Sequence, residues 1–151
     1  MCSSAKTPIH IPLPEPDMPT LHLHLTPPQT DTQNAHLAQA LTDITARVLG
    51  KRPEVTAVLI HTLPQAQWFI GAVAVTQPTA MLEIDITQGT NSAEQKATFV
   101  DAVWHTLAQH LAAGGPLAPA SYVIVREVPA TDWGYAGLTQ HARQLQRVAP
   151  V

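Results

Sequence analysis

Two stretches of the chain alternate between apolar and polar residues. The first, residues 18–25 (MPTLHLHL), has leucines at every second position and histidines between them. The second, residues 80–86 (AMLEIDI), repeats this alternation 61 positions later, with Glu83 and Asp85 in place of the two histidines. Because successive side chains of a strand point to opposite faces, both stretches predict strands with one buried face. Pro19 stands at the first strand position, where a missing N–H is tolerated.

A capping signal and a helical periodicity follow each predicted strand. Thr30 with Gln33 three residues later predicts the start of one helix, and residues 91–94 (NSAE) predict the start of another. Apolar residues recur at helical spacing after both signals: Leu37, Leu41, Ile44 and Val48 in the first half, and Phe99, Val103, Leu107 and Leu111 in the second. Gly50 and residues 114–116 (GGP) are expected to end these helices.

The second half of each unit also repeats. Residues 56–61 (TAVLIH) and 122–126 (YVIVR) predict further strands, each followed by a Pro-x-x-x-Trp turn, and residues 72–75 could add a short strand. We therefore predict an α+β fold of two β-α-β repeats, with a four-stranded sheet and both helices on one face. The other sheet face would need cover from a partner, so we expect an oligomer.

The repeats and the composition together define the domains. We assign residues 1–17, which contain four prolines, to an arm outside the repeats. Residues 18–151 form one domain, with repeat one at 18–76, repeat two at 77–140 and a polar tail at 141–151. The chain has 151 residues, 45% hydrophobic and 13% charged, which is enough apolar content for a core.

Charge and cysteine content narrow the function classes. The net charge is −3 and the sequence has no Lys/Arg cluster, so we expect no nucleic-acid or membrane partner. The only cysteine is Cys2, which excludes an intramolecular disulfide. No secretory signal and no apolar run of the ~20 residues of a membrane helix is present, so we expect a cytoplasmic protein.

Three motifs carry a family resemblance. Residues 18–20 (MPT) before an alternating strand, Gly89 followed by residues 94–96 (EQK), and residues 128–134 (VPATDWG) resemble the tautomerase superfamily of 4-oxalocrotonate tautomerase and macrophage migration inhibitory factor. The resemblance covers residues 18–140 and indicates a fused member with two short units in one chain. It implies a homotrimer with a barrel core, which acts on a small-molecule substrate. We expect no cofactor.

The resemblance also implies a mechanism. The family uses an amino-terminal proline as a general base that moves a proton between positions of an enol or 2-oxo acid. Pro19 matches that catalytic position, whereas repeat two has Ala80 there. Trp133 and Trp68 match the aromatic residue that walls the pocket, although a tryptophan beside a turn is equally a packing anchor.

The cations of the family are missing from their usual positions. The arginines that bind the substrate carboxylate fall at Gln29 and Thr90, and at about Ala57 and Tyr122, none of which is basic. Arg126, Lys51 and Arg52 remain as candidate cations, but their spacing places none of them in the pocket. We keep Gln29, Tyr122 and Arg126 as candidate substrate-binding residues, because Tyr122 could donate a hydrogen bond to a substrate oxygen.

The peptide bond between Met18 and Pro19 leaves alternatives open. Its nitrogen is an amide and is no base near neutral pH. If translation starts at Met18 and the methionine is trimmed, Pro19 is free and the protein is a tautomerase. If residues 1–17 are retained, the protein is a catalytically silent relative or a small-molecule binding module. A third alternative is a ferredoxin-like dimer without the proline site.

Histidines on the strands raise the question of a metal site. His22 and His24 lie two residues apart on one strand face and could meet His61. A metal would need a third ligand in a fixed geometry. We interpret these residues as a solvated or interface face and predict no metal site.

Overall fold

The structure is a computed structural model and describes residues 18–148. The proline-rich arm assigned to residues 1–17 and the last three residues lie outside this range. The strands are β1 (Thr20–Thr26), β2 (Ala57–Thr62), β3 (Phe69–Ile70), β4 (Val73–Ala74), β5 (Thr79–Thr87), β6 (Tyr122–Val128), β7 (Gly134–Tyr135) and β8 (Leu138–Thr139). The helices are α1 (Asp31–Leu49), α2 (Ala93–Ala112) and α3 (Gln140–Val148).

The four long strands form one mixed sheet in the order β2-β1-β5-β6. Strands β1 and β2 are parallel, as are β5 and β6, because a helix returns the chain to the same edge in each repeat. The repeats meet where β1 runs antiparallel to β5, with Leu23 opposite Leu82 near the centre of the ladder. The predicted α+β fold of two β-α-β units is confirmed.

The core lies between the sheet and the two long helices. The alternating apolar residues of β1 and β5 are all fully buried: Leu21, Leu23, Leu25, Leu82, Ile84 and Ile86. They belong to one cluster with α1 and α2, to which Leu41 and Phe99 contribute fully buried side chains. The apolar residues that alternate along the strands and those that recur at helical spacing therefore pack together in a single apolar layer.

Both helices begin at the capping boxes that the sequence predicts. The Thr30 hydroxyl accepts the backbone N–H of Gln33 at 3.1 Å, and the Gln33 side chain accepts the N–H of Thr30 at 2.9 Å. Ser92 and Gln95 make the same reciprocal pair with the same two distances. The helix ends differ, because α1 is capped by Gly50 whereas α2 is capped by Ala113 in the left-handed conformation.

A small hairpin follows each Pro-x-x-x-Trp turn. Strand β3 pairs with β4, and β7 pairs with β8, each through only two residue pairs. The predicted short strand at 72–75 is β4. Most of the polar tail is the helix α3, in which Arg143 donates to the carbonyl of Tyr135 at 2.8 Å.

The sheet face opposite the helices is here termed the open face. Three cross-strand rows make it up: Ala57, Thr20, Asp85 and Arg126; Leu59, His22, Glu83 and Ile124; and His61, His24, Met81 and Tyr122. Leu59 and Tyr122 on this face are 40% and 58% exposed, so apolar and polar surface alternate there. Among residues 18–148, no helix is long and apolar enough to cross a membrane.

Candidate functional site

The internal repeat gives the sheet two equivalent ends. At the Pro19 end, β1 and β2 begin and β5 and β6 finish, since Thr20 lies opposite both Ala57 and Asp85. At the Ala80 end, β5 and β6 begin and β1 and β2 finish, since Ala80 lies opposite Leu25. The predicted site residues are divided between these two ends.

Pro19 lies immediately before β1 and is buried. Its carbonyl oxygen accepts the N–H of Ala57 at 3.1 Å, which fixes it against the start of β2. Proline has no N–H to lose, so this position takes the residue without loss of a ladder bond. By alternation, Pro19 continues the row of Leu21 and Leu23 that faces the helices. Its nitrogen is joined to the half-buried Met18.

A lysine lies at the same end of the sheet. The Lys51 ammonium donates to the Thr90 hydroxyl at 3.0 Å, and Lys51 is only 6% exposed. Thr90 donates in turn to the carbonyl of Thr87 at 2.6 Å. Asn91 donates to the carbonyl of Leu49 at 2.9 Å, so the loop after β5 is docked against the end of α1.

The sequence alone does not indicate where Lys51 lies relative to the predicted pocket. Lys51 stands 39 positions before Thr90, and the two meet because α1 and β5 both end at the Pro19 end of the sheet. Thr90 itself occupies a position at which the family resemblance expects an arginine. The structure therefore brings the Lys51 ammonium, from the loop after α1, to the Thr90 hydroxyl.

Arg126 and Arg52 each contact a carboxylate. Arg126 on the open face contacts Glu83 at 3.2 Å. Arg52 contacts Glu54 at 2.7 Å. The pKa of Glu54 is lowered, mainly by a backbone hydrogen bond to its carboxylate and secondly by the hydrogen bond from Arg52. Arg52 is exposed and directed to its own loop, whereas the adjacent Lys51 is buried.

Trp133 also belongs to the Pro19 end, because it follows the last strand residues of β6. Its carbonyl accepts the N–H of Gln140 at 2.9 Å, which closes the β7–β8 hairpin behind it. The half-buried indole and its hairpin line an open cleft of about 340 Å³. Thr131, Asp132 and Leu138 add polar and apolar surface to the same cleft.

The three remaining predicted residues lie at the Ala80 end. Tyr122 is opposite Met81, and Gln29 and Trp68 follow the finishing ends of β1 and β2. The five-residue step along β5 from Met81 to the level of Pro19 spans roughly 17 Å at 3.4 Å per residue. Gln29 donates to the carbonyl of Pro27 at 2.9 Å. Within one chain, these three residues are therefore not neighbours of Pro19.

The three histidines of the open face form a stack. The rings of His24 and His61 are 4.7 Å apart and nearly parallel, and His22 Nδ1 is 3.5 Å from His61 Nε2. Burial and then the neighbouring His61 lower the pKa of His24 below its ordinary value of 6.5, against the opposing effect of Glu83. Within residues 18–148, no three His, Cys, Asp or Glu side chains are grouped to hold a metal.

The family comparison agrees with this architecture. A family model described as "Tautomerase enzyme" matches residues 19–77 and again residues 81–143, one match for each repeat. The two matches together cover most of the chain, and each begins close to the start of a central strand, β1 or β5. The chain belongs to the tautomerase family. A search of curated protein sequences finds no match.

Solved structures place it among the fused members. A structure titled "Native Fused 4-OT" is 28% identical, with a TM-score of 0.70 over 82% of this chain and 97% of its own. A fused 4-OT described as an asymmetric trimer is 25% identical, with a TM-score of 0.72 over 82% and 98%. A macrophage migration inhibitory factor-like protein from Entamoeba histolytica shares the fold at 20% identity, with a TM-score of 0.65 over 81% and 98%.

Proposed function

We propose that this protein is a tautomerase that interconverts the keto and enol forms of a small 2-oxo acid, with Pro19 as general base. The observation that carries the proposal is the position of Pro19. It is buried at the position before the central strand β1 and held through its carbonyl to Ala57, so its nitrogen lies at one end of the sheet. Trp133 and its cleft are the proposed wall of the pocket.

The chemistry requires that Pro19 be the first residue of the active chain. Its nitrogen is then a secondary amine, whose lone pair accepts a proton from one position of the substrate and returns it at another. An amide nitrogen has no such lone pair, because resonance with the carbonyl occupies it. Burial and a nearby cation both disfavour the charged ammonium, so they lower the pKa of the free amine toward neutrality.

The test compares two chains. One begins at Met18, so that removal of the methionine frees Pro19, and the other keeps residues 1–17. We expect the first to ketonise phenylenolpyruvate and the second to be inactive, with intact mass confirming each amino terminus. Pro19→Ala in the shorter chain should abolish the activity. Equal rates in the two chains would show that Pro19 is not the base.

The shorter chain is expected to fold. The core, both capping boxes and all four long strands lie within the described range. Fused relatives are matched over 97–98% of their own length by 82% of this chain, so the fold forms without a counterpart of the remainder. Circular dichroism of both chains is the control.

A homotrimer is the second part of the proposal. Relatives of the fused type are described as symmetric and asymmetric trimers. The open face offers half-exposed apolar side chains, Leu59 and Tyr122, among charged ones, as expected for a surface that another copy covers. Light scattering should give three chains per particle, whereas a dimer would favour the ferredoxin-like alternative.

A binding module without catalysis is the second candidate. The amide link between Met18 and Pro19 favours it, because the chain in this form has no basic nitrogen at the site. This candidate predicts that the full-length chain binds phenylpyruvate but does not accelerate its tautomerisation. Turnover by the full-length chain would contradict it.

A further inference from the structure

We propose that the cleft beside Trp133 binds a small organic cation, with the carboxylate of Asp132 as its counter-charge. Under the proposed tautomerase function, on which this part of the inference rests, the substrate group that enters the cleft carries a positive charge. The observations that carry the proposal are the residues that line the cleft, the exposed position of Asp132 and the burial of the indole nitrogen of Trp133.

The charge of the cleft has one sign. Residues 131–134 and 137–139 line it, and among these Asp132 alone has an ionisable side chain. Its Oδ1 accepts the Thr131 hydroxyl at 2.8 Å, and within residues 18–148 no lysine, arginine or histidine forms an ion pair with it. An anionic group in the cleft would therefore meet a like charge, whereas a cation would meet an opposite one.

The arginines on the two sides of the cleft in sequence have other partners. Arg126 of β6 contacts Glu83 on the open face at 3.2 Å. Arg143 of α3 donates to the carbonyl of Tyr135 at 2.8 Å, and its guanidinium carbon lies 3.8 Å from the centre of the Tyr135 ring. Neither arginine neutralises the Asp132 carboxylate, so a ligand can supply the positive charge.

The Trp133 side chain offers the cleft only carbon surface. Its Nε1 is the sole polar atom of the indole, and this nitrogen is shielded from solvent and has no hydrogen-bond partner. The ring face of an indole attracts organic cations, and tryptophan does so best among the aromatic residues. An indole beside a carboxylate therefore matches an ammonium group on an apolar body, whereas a metal ion such as Ca²⁺ requires several oxygen ligands.

Backbone contacts fix this wall of the cleft. The carbonyl of Trp133 accepts the N–H of Gln140 at 2.9 Å, and the carbonyl of Ala130 accepts the N–H of His141 at 2.8 Å. These bonds hold the start of α3 against residues 130–133. The carboxylate and the indole are therefore positioned before a ligand binds, which lowers the entropic cost of binding.

The equivalent turn of repeat one has neither feature. Gln67 stands at the position of Asp132, and Phe69 stands at the position of Gly134. A neutral amide replaces the carboxylate, and a phenyl ring replaces the hydrogen of glycine. The proposed cation site is therefore a property of repeat two.

The test compares three ligands of similar shape that differ in charge. Phenethylamine, 2-phenylethanol and phenylacetate are titrated into the full-length protein, and binding is followed by the ¹⁵N amide signals of residues 131–139. We expect the amine to bind about 3- to 10-fold more tightly than the alcohol, the combined size of an exposed ion pair and a cation–π contact. Phenylacetate should bind more weakly than the alcohol. Phenylacetate that binds as tightly as the amine would overturn the proposal.

Variants and salt isolate the contribution of Asp132. Asp132→Asn should leave the amine and the alcohol within about twofold of each other, because only the charge is lost. Asp101→Asn, which removes an exposed carboxylate of α2, is the matched control and should leave the preference for the amine unchanged. In the unsubstituted protein the preference should shrink as NaCl is raised to about 1 M, because salt screens exposed charges. A preference that persists in Asp132→Asn or at high salt would overturn the role of the carboxylate.

The charge of the substrate is tested by kinetics. In the chain that begins at Met18, the enol of 4-(aminomethyl)phenylpyruvate should have a kcat/KM about 10-fold above that of its 4-carboxy analogue, and Asp132→Asn should remove the difference. Equal values of kcat/KM for the two enols in the unsubstituted chain would overturn the assigned substrate charge. If the chain with Pro19 free is inactive, the tautomerase proposal fails, whereas the ligand titration of the full-length protein decides the cation site by itself.

Discussion

Gly134 begins the second hairpin directly after Trp133, and it has no room for a methyl group. A Cβ at this position would overlap the carbonyl oxygen of Leu138 and lie 2.7 Å from Thr139 Cα. Both are backbone atoms of β8, so the collision cannot be relieved by rotation of a side chain. We predict that Gly134→Ala separates β7 from β8 and releases Trp133.

The size of the effect follows from how little holds the hairpin closed. Strands β7 and β8 share only two residue pairs, Gly134 with Thr139 and Tyr135 with Leu138. Overpacking of this kind costs about 1–3 kcal/mol, and each backbone hydrogen bond contributes about 0.5–1.5 kcal/mol net. The energetic cost of the collision is therefore similar to the stabilisation that the hydrogen bonds between β7 and β8 provide. The hairpin should open locally, and Tm should fall by only about 2–6 °C because the main core is elsewhere.

The indole N–H signals of the three tryptophans provide the assay. In Gly134→Ala the Trp133 signal should shift and its hydrogen exchange should accelerate, whereas Trp104 on α2 should be unchanged. Gly137→Ala is the matched control, because its Cβ meets nothing within 4 Å and only its φ of +82° is strained. A Trp133 signal that is unchanged in Gly134→Ala would refute the reasoning. So would cooperative loss of the whole fold.

Two further predictions concern stability. Ala113 caps α2 at a φ of 51°, so Ala113→Gly should stabilise the protein by about 0.5–1 kcal/mol in urea unfolding, and loss of stability would contradict the cap assignment. Because the pKa of His24 is lowered in the folded chain, the unfolded chain binds a proton at this histidine at a higher pH than the folded chain does. The free energy of unfolding should therefore fall as pH drops below 6.5, the ordinary value, and should not depend on His24 above it. His24→Gln should reduce this fall at fixed protein concentration, whereas the exposed His105→Gln should not; equal falls would show that His24 does not contribute.

The sequence predicts the fold well because its signals are local. Alternation in residues 20–26 and 80–86 reports burial on one sheet face, and the structure buries all six apolar positions. Capping boxes at Thr30 and Ser92 fix the helix starts through contacts three residues apart. The end of α2 was less predictable, since Ala113 adopts a left-handed conformation that glycine usually takes.

The candidate site was less predictable because its contacts are distant in sequence. The internal repeat predicts which residues of the two halves are equivalent to each other. It does not predict which residues meet, because each end of the sheet is formed by residues from both halves. Lys51 from repeat one meets Thr90 from repeat two, a contact that no spacing within either repeat indicates. For the same reason Trp68 and Trp133, which are equivalent in the repeat, lie at opposite ends of the sheet.

Fusion of the repeats allows the two ends of the sheet to carry different residues. At the Ala80 end, the backbone N–H of Ala80 donates to the buried Ser121 hydroxyl at 3.1 Å, and Ala118 donates to the carbonyl of Pro78 at 2.9 Å. These bonds tie the loop before β6 to the start of β5. At the Pro19 end, the equivalent position has no N–H to donate, and a buried cation stands beside the neighbouring loop. A protein assembled from one short repeat would have identical ends, whereas in this chain a hydrogen-bonded strand start lies at one end of the sheet and a proline lies at the other.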